Sequence, residues 1–122
     1  MDINKINDDG FTPLLLAAQN GDFEEVKSLI DKGADVNFKN FNQDSALILA
    51  SKNGYRKIVE LLINQGADVN ARNSDCNTSL IYSSQGEGYI EIVDILLREG
   101  ADVNASNNLG DTALHKAAYF GL

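Results

Sequence analysis

The chain carries one histidine, His115, and one cysteine, Cys76, among 18 acidic residues. Nucleophilic chemistry at Cys76 needs a base beside it to generate the thiolate, and its neighbours Asp75 and Asn77 offer none. One His and one Cys do not make the usual Cys/His zinc set. Carboxylates are plentiful, yet a calcium loop spaces them alternately around a turn glycine, and Asp8-Asp9-Gly10 is too short for that. Neither G-x-x-x-x-G-K-[ST] nor a dinucleotide-type glycine motif is present. These residues predict no catalytic site, no cofactor and no metal.

The residues that recur are of another kind. Gly33-Ala34-Asp35-Val36-Asn37, Gly66-Ala67-Asp68-Val69-Asn70 and Gly100-Ala101-Asp102-Val103-Asn104 are one pentapeptide at spacings of 33 and 34. A second landmark runs in phase with it: Thr12-Pro13-Leu14, Ser45-Ala46-Leu47, Thr78-Ser79-Leu80 and Thr112-Ala113-Leu114-His115. A period of this length marks a supersecondary unit that cannot bury its apolar face alone and must stack on its own copies.

Local chemistry defines the elements of the first unit. Thr12 is placed to cap a helix, and Pro13 at N1 has no N–H to leave unpaired. Leu14, Ala17 and Ala18 then share a face, with two alanines allowing close approach of a neighbour. Gly21 marks a turn, and Asp22 is placed to cap a second helix at its positive end. Phe23, Val26, Leu29 and Ile30 form that helix's apolar stripe. Gly33 reads as its left-handed C′ residue, and the rest of the pentapeptide reads as extended chain leading to the next turn asparagine, Asn40 (then Asn73 and Asn107). Later units repeat the plan with Leu47, Ala50, Ser51, Val59, Leu62 and Ile63, then Leu80, Ser83, Ser84, Val93, Leu96 and Leu97.

The departures are also informative. One residue is inserted between Leu80 and Gly88, most simply in Gln85-Gly86-Glu87. The hairpin-tip glycine of Gly10 and Gly110 becomes Gln43 and Cys76. Either these keep φ > 0, at about 1 kcal/mol each, or the turn changes type. Asp2-Ile3-Asn4 aligns with Asp35-Val36-Asn37, as the tail of a preceding unit. At the other end, Leu114, Ala117 and Ala118 are expected to pack back onto the third unit. Tyr119, Phe120 and Leu122 then lack an intramolecular neighbour on their far side, an uncapped face suited to end-to-end self-association.

The two landmarks together resemble the ankyrin repeat, with G-x-T-P-L-H-x-A-A-x-x-G, an amphipathic helix and G-A-D-V-N. The likeness covers nearly the whole chain. It implies an all-α solenoid of stacked helix-turn-helix units joined by β-hairpin-like loops. As one domain, 1–122, the chain divides into a tail (1–6), repeats at 7–39, 40–72 and 73–106 (the insertion near 85–87), and half a repeat at 107–122. At His115 the resemblance implies a structural hydrogen bond near a helix start. It also implies that a partner protein binds the hairpin tips and the concave edge of the first helices. The tip positions are Asp8, Asp9 and Phe11; Phe41, Asn42 and Asp44; Ser74, Asp75 and Asn77; and Asn108, Leu109 and Asp111. Gln19, Lys52, Gln85 and Tyr119 line the groove. The five tip aspartates, with no Lys or Arg among the tip residues, either steer a basic partner segment or simply reflect the liking of Asp and Asn for turns. Phe11, Phe41 and Leu109 are candidate apolar anchors. Family resemblance further implies that Asn37, Asn70 and Asn104 fit the pattern modified by asparaginyl hydroxylases.

Composition narrows the partners. A net charge of −8 argues against nucleic acid, whose phosphates call for clustered Lys and Arg, and against anionic membrane. The apolar runs are too short to span a bilayer. After Met1, Asp2-Ile3-Asn4-Lys5 gives no basic region leading into an apolar one, and a lone cysteine forms no internal disulfide. These features point to a cytoplasmic location, with nuclear entry or delivery into a host cell left open. Three readings remain: a non-catalytic interaction module or scaffold, a regulatory or targeting segment of a larger protein or enzyme, and a hydroxylase substrate.

Overall fold

In the computed structural model, residues 2–86, 89–119 and 121 are described. Seven helices are assigned among them: α1 (Pro13–Asn20), α2 (Phe23–Asp31), α3 (Ala46–Lys52), α4 (Arg56–Asn64), α5 (Ser79–Ser83), α6 (Ile90–Arg98) and α7 (Ala113–Tyr119). No strand occurs among the described residues. Each odd-numbered helix packs on the even-numbered one after it up to α5–α6. The odd helices stack on one another, as do the even ones. The result is an all-helical solenoid two helices deep.

Side chains start the first helices as their types dictate. Thr12, Ser45 and Thr78 each accept the N–H three residues on, from Leu15, Ile48 and Ile81, at 3.2 Å. At α7 the exchange is reciprocal: Thr112 N–H donates to His115 Nδ1 (3.1 Å) and His115 N–H to Thr112 Oγ1 (3.4 Å). This is the structural bond expected of His115. Asp22 caps α2 through Glu25 N–H (3.1 Å). The matching residues Tyr55 and Tyr89 make no side-chain cap and pack over the preceding unit's turn glycine instead. A Cβ on Gly21 would stand 2.7 Å from the Tyr55 ring, and one on Gly54 2.6 Å from that of Tyr89. Glycine is thus required there for space as well as for its positive φ.

The core runs unbroken between the layers. Leu14, Leu47, Val26, Val59, Leu62, Leu80 and Leu96 are at most 2 % exposed, and Leu15, Ile48, Ile58, Ile81 and Ile92 add to the buried side chains. Helix α5 is held by small residues: Ser83 Oγ donates to Ser79 O and Ser84 Oγ to Leu80 O, both at 2.8 Å.

Three expectations are corrected. The pentapeptide is not extended. Asp35 Oδ1 accepts Asn37 N–H (3.0 Å) and Phe38 N–H reaches Asp35 O (3.4 Å), forming a turn that recurs at Asp68 and Asp102. Leu97 is 44 % exposed rather than packed. Leu114 is 75 % exposed and Ala118 also faces outward, while Ala113 is the residue of α7 that meets the core. The physical reason is coverage: Leu14, Leu47 and Leu80 lie under the second helix of their own unit, which α7 lacks among the described residues. At the hairpin tips, Gln43 and Cys76 sit at φ 63° and 60°, so the turn keeps its type and the strain. Of the expected insertion and free end, Glu87, Gly88, Phe120 and Leu122 lie outside the described residues.

Candidate functional site

An asparagine organises every hairpin. Oδ1 of Asn7 accepts from Asp9 and Phe11 N–H, that of Asn40 from Asn42 and Asp44, that of Asn73 from Asp75 and Asn77, and that of Asn107 from Leu109 and Asp111, all at 2.9–3.0 Å. A two-acceptor amide in this position folds the loop on itself. The other end of the amide points to the preceding hairpin. Asn73 Nδ2 donates to Asp44 Oδ1 and to the Tyr82 hydroxyl, each at 2.9 Å, and Asn107 Nδ2 to Asn77 Oδ1 at 2.9 Å.

This arrangement sorts the expected tip residues into two groups. Asp44 and Asn77 are half-buried and committed to joining hairpins. Asp111 is half-buried and lies 3.5 Å from Lys116 Nζ, and Phe11 packs against the core. Asp8, Asp9, Asn42, Ser74, Asp75 and Asn108 are exposed, as are Phe41 (67 %) and Leu109 (82 %). The carboxylates of Asp8, Asp9 and Asp75 have no hydrogen-bond or ion-pair partner among the described residues.

Along the first helices, Gln19 and Lys52 are exposed and Gln85 is half-buried. Lys52 Nζ lies 5.3 Å from the centroid of the Tyr82 ring, and Asn53 Nδ2 reaches Gln19 O at 3.4 Å. Tyr119, at the end of α7, is exposed. The tyrosines are what the sequence reading missed. Tyr82 joins the hairpin ladder, and Tyr89 clasps the second unit through Lys52 O (3.2 Å). The signal for the clasp was a tyrosine directly after a glycine, in Gly54-Tyr55 and Gly88-Tyr89.

Away from the tips in sequence, Asn4 and the pentapeptide asparagines Asn37 and Asn70 stitch one unit to the next. Oδ1 of Asn4, Asn37 and Asn70 accepts the N–H of Asp35, Asp68 and Asp102 at 2.8–2.9 Å. Nδ2 of Asn37 and Asn70 donates to Gly66 and Gly100 O. Asn104 makes neither bond among the described residues. Two longer side chains add to the stitching, Lys39 to Arg72 O and Arg72 to Ser106 O.

A solenoid of capped helix pairs, with asparagine-built hairpins and a stitched asparagine edge, defines a helical repeat protein. Family models described as ankyrin repeats (3 copies) and ankyrin repeats (many copies) match residues 1–73 and 83–121, and the chain belongs to the ankyrin repeat family. No curated protein matches it. Ankyrin repeats are generally protein-interaction modules and typically non-catalytic. No helix among the described residues is long and apolar enough to cross a membrane.

Proposed function

We propose that this chain binds a partner protein through its hairpin tips and the adjoining edge of α1, α3 and α5, without catalysis, and that the contacted segment of the partner is basic. The repeats of this reading are those at 7–39, 40–72 and 73–106, flanked by the tail and the half repeat. The observation that carries it is the state of the tip acids. Asp8, Asp9 and Asp75 face solvent with no partner among the described residues, and no Lys or Arg stands among the tip residues. An unpaired acidic row attracts cations at range and is screened over about 8–10 Å in ordinary salt. Affinity purification of partners with wild-type chain and with an Asp9→Asn/Asp75→Asn variant tests the reading. Partners should be lost from the variant and released by salt. A partner set indifferent to both changes would overturn it.

The same reading includes end-to-end self-association through Leu97, Val103 and Leu114, which stand 44–75 % exposed. Sedimentation should show association that Leu114→Asp abolishes. The hydroxylase reading is favoured at one position. All three asparagines are exposed, but Asn37 and Asn70 hold neighbouring units with both ends of their amides, whereas Asn104 makes neither bond among the described residues. Peptide mass spectrometry after treatment with an asparaginyl hydroxylase should place modification on Asn104 before the other two.

A further inference from the structure

Successive hairpins are tied by two equivalent hydrogen bonds at the second and third junctions, the third adding Asn108 Nδ2 to Ser74 O (3.2 Å). Ser74 N–H donates to Asn42 O (3.0 Å) beside the Asn73–Asp44 bond, and Asn108 N–H donates to Asp75 O (2.9 Å) beside the Asn107–Asn77 bond. At the first junction neither bond exists. The position that supplies the acceptor, Asp44 or Asn77 later on, is Phe11 there. Asn40 is therefore left with Nδ2 buried and unpaired, in a residue only 2 % exposed. The equivalent main-chain pair, Phe41 N–H and Asp9 O, is not bonded either. What separates the two hairpins is the Phe41 ring resting on Gly10, where a Cβ would come within 2.7 Å of Cγ.

One side of that ring lies on Gly10, and Phe41 is 67 % exposed overall. Asp9 directly precedes the glycine that supports the ring, and Asp8 precedes Asp9. An exposed aromatic surface thus lies against the glycine that directly follows two exposed carboxylates without a partner among the described residues, at a junction holding an unsatisfied donor. The other tips lack this combination: Ser74 and Asn108 replace the aromatic residue, and Asp111 is engaged by Lys116.

Resting on the proposed basic partner, we infer that the first hairpin junction is an arginine anchor: the partner's guanidinium stacks on Phe41 and pairs with Asp8 or Asp9. Arginine suits the place better than lysine. Its planar cation can lie on an aromatic face while its N–H groups still reach a carboxylate, and it sheds water more readily than an ammonium.

The test titrates the protein into two fluorescein-labelled peptides at low salt, one of alternating alanine and arginine and one of alternating alanine and lysine. Fluorescence anisotropy gives the affinities, and amide NMR shifts give the location. The arginine peptide should bind about two- to five-fold more tightly, and Phe41→Ala should erase that preference. Asp9→Asn should weaken both peptides, and the largest shifts should fall on residues 8–11 and 40–42. Phe41 is exposed, and unchanged circular dichroism of the variant would confirm that its removal leaves the fold intact. If neither peptide binds, the basic-partner reading fails and the anchor with it. If both bind equally, if the preference survives Phe41→Ala, or if the shifts centre on Asp75 and Leu109, the anchor is overturned while the basic-partner reading stands.

Discussion

The hairpin ladder makes one substitution less costly at one asparagine than at its counterpart 33 residues on. Asn40→Asp and Asn73→Asp both keep an oxygen for the two loop N–H groups, and both sites are buried, at 2 % and 8 % exposure. The cost of burying a carboxylate and the gain of charge-assisted loop bonds are therefore shared and largely cancel in the difference. What differs is Nδ2. At Asn40 it has no partner, so nothing is lost with it. At Asn73 it donates to the Asp44 carboxylate at 2.9 Å, and replacement forfeits a hydrogen bond to a charged group worth about 1.5–3 kcal/mol. It also sets two carboxylates against each other. The Tyr82 hydroxyl can turn to donate to the new carboxylate, so that bond is left out of the sum. Asn73→Asp should thus cost at least about 2 kcal/mol more than Asn40→Asp. Urea unfolding followed by circular dichroism, with m-values checked for equality, measures the difference. Equal losses from the two variants would refute the ladder as the organising contact between hairpins.

Leu62→Ala, at a site with no exposed surface in the middle of the stack, should lower stability by about 2–5 kcal/mol; a urea-measured loss below about 1 kcal/mol would contradict its burial. Cys76→Gly and Gln43→Gly relieve left-handed strain at φ near 60° and should each raise stability by up to about 1 kcal/mol, net of glycine's entropy. A fall in melting temperature in both variants would show that the side chains matter more than the strain. Gly66→Ala meets open space and should cost about 1 kcal/mol for its positive φ, whereas Gly54→Ala also drives into the Tyr89 ring and should cost clearly more. Matching thermal shifts would mean that the ring moves aside freely.

Much of this was legible because the governing contacts are short in sequence. A cap joins residues three apart, an asparagine folds a loop of five, and a glycine ends a helix in place. Thr12, Ser45, Thr78 and Gly33 could all be read from neighbours, the His115 bond followed from the family resemblance, and the 33-residue period implied that the units stack. The pentapeptide turn is just as local, since Asp35, Asp68 and Asp102 each accept the N–H two residues on, and it was misjudged because the habit of Asp to fold its own loop was overlooked. What the neighbours do not disclose is that Asn37 and Asn70 are also held by the next unit about 30 residues away.

By itself, then, the sequence determined the family, the helix pairs and the positions of the tips. Tertiary structure alone decided which tip residues are free. Asp44 and Asp75 are both hairpin aspartates, yet Asp44 accepts from an asparagine 29 residues away, while Asp75 faces water. Leu114 has the same landmark around it as Leu14 and is exposed where Leu14 is buried. Asn40 is orphaned by a phenylalanine in another loop. Burial and pairing belong to what stacks on a residue, and a residue's type and immediate neighbours say nothing of that until the units are brought together.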